Sequence, residues 1–174
     1  MIKLVEAVPL TVFLIFLRVM DTSVPGNWRL PFILSGLAAV AAVGVFLYKK
    51  MIFNRVLLGI NLYLISGGLA FVTRQWWLNR IYNDLGASGM LLWISAVGGI
   101  SLLFSRRGFV GAAEGRPKRI RKYSLYLLAV SCCAFGLSYG FRGNKILAEI
   151  IPFVGLFIAL GVCRSKAETG RSAP

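Results

Sequence analysis

Apolar residues gather into six long runs separated by short polar segments: residues 4–20, 30–48, 51–73, 86–104, 123–141 and 146–163. Each run approaches the ~20 residues a helix needs to cross ~30 Å of hydrocarbon. The runs are continuous, without the two-residue alternation of a barrel strand, and a backbone in lipid must satisfy its own hydrogen bonds. The pattern therefore predicts an all-α fold, a polytopic transmembrane helical bundle of six helices in three hairpins. Residues 1–163 form a single integral membrane domain and residues 164–174 a polar cytoplasmic tail. Glu6 and Pro9 interrupt the first run, but only Lys3 precedes it and residues 21–25 offer no small-x-small cleavage site. It reads as a retained helix rather than a leader.

Composition agrees with that picture. Hydrophobic residues make up 57 % of the 174, charged residues 15 %, and the mean hydropathy is +0.75; ordinary soluble domains carry about a quarter charged residues. A net charge of +14 raises nucleic-acid binding as an option. The basic residues lie between apolar runs instead of on one water-facing surface, which argues against a nucleic-acid partner. Fourteen of the 20 lysines and arginines fall before the first run, after the second, fourth and sixth runs or, for Arg55, at the start of the third. The opposite side holds six: Arg18, Arg29, Arg74, Arg80, Arg142 and Lys145. Basic segments resist translocation, so the richer side is expected to be cytoplasmic, with both termini inside.

The stretch Gly68-Leu69-Ala70-Phe71-Val72-Thr73-Arg74 is echoed by Gly136-Leu137-Ser138-Tyr139-Gly140-Phe141-Arg142. Arg18, Arg74 and Arg142 each close an odd-numbered run at the outer side, and Trp28, Trp76 and Trp77 share that level. Two readings stay open. The arginines and indoles anchor helix ends at the headgroup layer. Alternatively Arg18, Arg74 and Arg142 converge with Asp21, Asp84 and Glu149 on an outward-facing polar site for an anionic group such as a lipid phosphate, which a planar guanidinium can grip through two hydrogen bonds. The repeat itself fits either a duplicated hairpin or the low cost of Gly-Leu-small-aromatic in membrane sequence. Gly67, Gly68, Gly136 and Gly140 are small residues at helix-packing positions, the last two as a GxxxG pair that also suits self-association.

Catalytic chemistry is sparse. The chain has no histidine, its three cysteines lack metal or redox spacing, and it holds no glycine-rich phosphate loop. No cofactor, no metal site and no enzymatic activity are expected; Cys132, Cys133 and Cys163 read as reduced packing residues. Glu6 and Glu149 sit near helix starts, where the macrodipole favours negative charge, and Asn54 and Asn61 suit interhelical hydrogen bonds. Residues 106–122 carry Arg106, Arg107, Arg116, Lys118, Arg119, Arg121 and Lys122 against Glu114 alone. Glycines and Pro117 argue against one continuous amphipathic helix there. Such a cluster is drawn to anionic phospholipid, at about 1 kcal/mol per basic residue near the surface, or to an acidic partner.

The order Glu6-x-x-Pro9-Leu10-x-Val12-Phe13, then Gly67-Gly68-Leu69 with an aromatic and a polar break, resembles the bacterial intracellular septation protein A (YciB) family. Gly136-Leu137 with Tyr139, followed by Phe153-x-Gly155-Leu156 in the last run, is similar in layout. The likeness spans most of the chain as scattered positions. This chain has Asn79-Arg80-Ile81-Tyr82 where the family carries a lysine-tryptophan element, and its basic segment is unusually rich. The resemblance implies a multi-pass bacterial inner-membrane protein linked to cell-envelope synthesis and division through contacts with other membrane proteins. It transfers no catalytic residue. The function expected is thus a non-enzymatic scaffold or envelope-maintenance factor, with a small transporter or lipid-handling protein as the alternative.

Overall fold

A computed structural model of the chain describes residues 5–20, 24–51, 53–112 and 115–168. Among the described residues there are helices and no strand: α1 (Val8–Val19), α2 (Arg29–Tyr48), α3 (Arg55–Val72), α4 (Trp76–Leu85), α5 (Ala87–Phe104), α6 (Pro117–Gly140) and α7 (Ile151–Glu168). A 3₁₀ turn at Pro25–Trp28 leads into α2 and a π-helical turn at Ile146–Ile150 into α7. Five segments are long and apolar enough to cross a membrane: Gly26–Tyr48, Arg55–Val72, Ala87–Phe104, Pro117–Gly140 and Ile146–Glu168. Their number and composition fit a multi-pass membrane protein.

The expected six crossing helices become five long helices and a short one. Pro9 lies in the first turn of α1, where its missing N–H costs nothing, and the helix holds only 12 residues. At ~1.5 Å per residue it spans ~18 Å, short of the ~30 Å hydrocarbon thickness. The segment after α3, read as a polar break, is instead the helix α4. The last helix continues to Glu168, five residues past the end of its apolar run. Its π turn has a local cause. Pro152 has no N–H for the Ala148 carbonyl, and the Ile151 N–H reaches back five residues to Ile146. Asn144 caps this entrance, its side-chain oxygen accepting from the N–H groups of Ile146 and Leu147 at 3.1 and 3.3 Å.

The chain divides into two compact units, Met1–Phe53 with Ile60–Asp84, and Asn54–Gly59 with Leu85–Pro174. In the first unit Phe32 of α2 is the hub. Its ring meets Phe13 of α1 at 5.0 Å, Tyr63 at 5.6 Å and Phe71 at 5.7 Å between centroids. Lipid gives helices little hydrophobic drive to associate, so close contact needs small residues. They are present here: a Cβ on Gly67 would overlap the Phe32 ring, one on Gly68 would lie 2.9 Å from the Phe32 carbonyl oxygen, and one on Gly36 would lie 3.0 Å from that of Leu64. Asn61, fully buried, donates to the backbone carbonyl of Glu6 at 3.3 Å, tying α3 to the residues just before α1. The Asn54 side chain accepts from the Val56 N–H at 3.1 Å at the start of α3.

In the second unit α6 packs between α5 and α7. Leu91 and Ile94 of α5, Leu127 of α6 and Leu156 of α7 are fully buried. A serine ladder adds polar contacts, with the Ser95 hydroxyl donating to Ser131 at 3.2 Å and Ser131 donating to the Leu128 carbonyl at 2.9 Å. Gly59 lies so close to α5 that a Cβ there would sit 2.7 Å from the Ile94 Cα. Gly136 and Gly140 differ from Gly67 and Gly68. They are exposed and, among the described residues, nothing lies within 4 Å of a Cβ built on either, so no described helix packs against this pair. Cys132 and Cys133 are also exposed, and only Cys163 is buried as a packing residue.

Candidate functional site

The basic segment 106–122 is described in two pieces, 106–112 and 115–122. After α5 the chain turns back through Gly108 (φ 57°) and Gly111 (φ 66°), conformations that favour glycine. This turn is not a solvated loop: Phe109, Val110 and Ala112 are buried, and Phe109 lies against Gly98 of α5. Arg55, on the first residue of α3, pins it by donating to the Gly108 carbonyl and, at 2.6 Å, to the Ser105 hydroxyl. The Ser124 hydroxyl of α6 accepts from the Val110 N–H at 3.2 Å. Arg55 therefore spends its charge on structure.

The second piece is the start of α6, which begins at Pro117, six residues before the apolar run. Lys118, Arg119, Arg121 and Lys122 are helical and exposed, as are Arg106, Arg107 and Arg116 before them. Lys122 stands 5.9 Å from the Tyr126 ring centroid. Among the described residues none of the seven has an acidic partner; the ion pair seen is Arg164–Glu168 at 3.3 Å, within α7. A Cβ on Gly115 would touch the Ala167 carbonyl oxygen, so the C-terminal end of α7, with Arg164 and Lys166, lies at the same end of the unit. The arrangement is electrostatically unusual. Cations crowd the N-terminus of α6, where the helix dipole is already positive and where neither an acidic residue nor a side-chain cap is present.

The other predicted polar residues fall in both units. Arg18, Arg74 and Asp84 belong to the first unit, Arg142 and Glu149 to the second, and all five are exposed. Among the described residues no ion pair joins them. Arg18 ends α1, Asp84 lies in the last turn of α4, and Glu149 sits in the π turn. Arg142 lies over the Tyr139 ring at 3.7 Å, an arginine spread on its own helix end. Asp21 falls outside the described residues.

Arg74 has a different setting. It follows α3 in the left-handed conformation (φ 56°), and the Gln75 N–H bonds back to the Ala70 carbonyl at 2.9 Å. Such a turn usually uses glycine. Arg74 lines a shallow pocket of about 280 Å³ together with Arg29, Phe71 and Trp76. Arg29 is the residue that sequence reasoning counted only as loop charge, because it lies 45 positions away and meets Arg74 only through the α2–α3 packing at Phe32. Beside the pocket, α4 presents Trp76, Trp77 and Ile81 outward at 63, 62 and 44 % exposure. Tyr82 holds α4 down, with its hydroxyl 2.6 Å from that of Ser66 and its ring 5.1 Å from Tyr63.

No family model, curated protein or solved structure matches this chain.

Proposed function

We propose that this is a non-enzymatic multi-pass protein of the bacterial inner membrane, acting as a scaffold or envelope-maintenance factor through its basic end. The observation that carries the reading is a set of seven exposed cations, Arg106 and Arg107 on the turn fastened by Arg55 and five at the start of α6, that have no acidic partner among the described residues. Uncompensated positive charge at the positive end of a helix destabilises the protein unless an external anion supplies the missing partner. A leaflet of anionic phospholipid does so at about 1 kcal/mol per basic residue near its surface, and an acidic membrane partner would do the same. The positive-inside rule then places this end in the cytoplasm together with the C-terminal end of α7. The resemblance to the septation protein family supports an envelope role.

The test is the full-length protein with Lys118, Arg119, Arg121 and Lys122 changed to Gln. The expected outcome is weaker retention of phosphatidylglycerol over phosphatidylcholine and loss of envelope function at unchanged abundance. Unchanged lipid preference and unchanged function would overturn the reading. A second reading, a lipid-handling or small transport protein, is favoured by the pairing of Arg74 with Arg29 in one pocket.

A further inference from the structure

We infer that Arg29 and Arg74 form a phosphate-binding site, with Trp76 and Phe71 as its apolar walls. Both arginines line one pocket of about 280 Å³, near the lower end of the ~300–1,000 Å³ of small-ligand sites, which suits a headgroup rather than a large molecule. Two cationic side chains lining one small space are costly to hold together without an anion, and among the described residues neither has an acidic partner. A phosphate removes that cost and accepts from both planar forks at once. The backbone points the same way. Arg74 is held in the left-handed region (φ 56°) that glycine adopts freely, a costly conformation for a residue that lines the pocket.

The depth of the site follows from single elements. Arg74 lies beyond the last residue of α3 and Arg29 opens α2, so both sit where apolar helices end. Exposed Trp76 and Trp77 mark the same level, because indoles favour the zone between hydrocarbon and water. A phosphate reaches this level either on a lipid headgroup or free in solution. The inference is independent of the basic end of α6, since it rests on other residues in the other unit.

The experiment uses the full-length protein in neutral detergent, with lipid adducts read by native mass spectrometry. Phosphatidylglycerol and the phosphate-free diglucosyl diacylglycerol serve as probes for the wild type, Arg29→Lys, Arg74→Lys and the control Arg80→Lys. Lysine keeps the charge and loses the fork. Charge-assisted hydrogen bonds of this kind correspond to about a tenfold or larger change in affinity. The expected result is a phosphatidylglycerol adduct weakened at least ~10-fold in both pocket variants, unchanged in Arg80→Lys, and absent with the glycolipid. If inorganic phosphate at millimolar concentration displaces the lipid and itself shifts the wild-type melting temperature, the soluble ion is the ligand and the site stands. If it does neither, the headgroup is the ligand. Thermal unfolding of each variant shows that it is folded, and Arg29→Gln serves where a lysine variant is not. Equal adducts in the wild type and both folded pocket variants, with no phosphate shift, would overturn the site.

Discussion

Among the described residues, Arg74 and Lys50 are the non-glycine residues held at positive φ. A side chain held at φ 56° pays of order 1 kcal/mol relative to a relaxed conformation, so Arg74→Gly should raise the unfolding free energy in detergent by roughly that amount while abolishing phosphate binding. A variant less stable than the wild type would refute the strain argument. Glycines make a matched pair of predictions. Gly67→Ala forces a methyl group into the Phe32 ring and should cost about 1–3 kcal/mol. Gly136→Ala meets open space and should leave stability unchanged or raise it by up to ~1 kcal/mol. Both are read by thermal unfolding of the purified chain. At this scale the sequence marks Gly67, Gly68, Gly136 and Gly140 alike as packing positions, since a small residue shows that a helix can be approached closely but not which face another helix occupies.

Among the elements, α4 and the 105–112 turn were hidden for the same reason. Each mixes polar and apolar residues, and its apolar side becomes visible only once a neighbouring helix receives it. Tyr82 of α4 bonds to Ser66, 16 positions earlier, and Phe109 fits against Gly98. Tyr82→Phe should cost about 1 kcal/mol and speed amide exchange through residues 76–85 ahead of the rest of the first unit. Arg55→Gln removes the charged donor that holds the turn; deuterium uptake should rise across residues 105–112 with little change in α5. Uptake confined to α3 would show that the turn is held by its buried apolar residues instead. The length of α1 is partly legible, because Pro9 marks a helix start, yet its apolar run continues to both sides of the observed helix.

For the molecule as a whole, the proposed orientation has a direct test. A cysteine placed at position 118, in a background with Cys132, Cys133 and Cys163 replaced, should react with an impermeant thiol reagent only in inside-out vesicles. Labelling in intact spheroplasts would reverse the topology and remove the basis for a cytoplasmic basic end. Attraction of that end to anionic vesicles should also fall steeply between low and physiological salt, since exposed charges beyond ~10 Å are screened at 0.1 M.

The sequence by itself determined the helical class, the approximate placement of the five long membrane-compatible helices and the concentration of basic charge after α5. These follow from hydrophobicity and charge summed along contiguous residues, and such sums need no knowledge of neighbours in space. Tertiary structure decided which charges are spent and which are free. Arg55 is consumed in fastening a turn, Arg142 lies on Tyr139, and Arg74 shares a pocket with Arg29. Before folding, those arginines are equivalent cations beside apolar runs; only the close approach of α2 and α3 across Gly36, Gly67 and Gly68 brings two of them together.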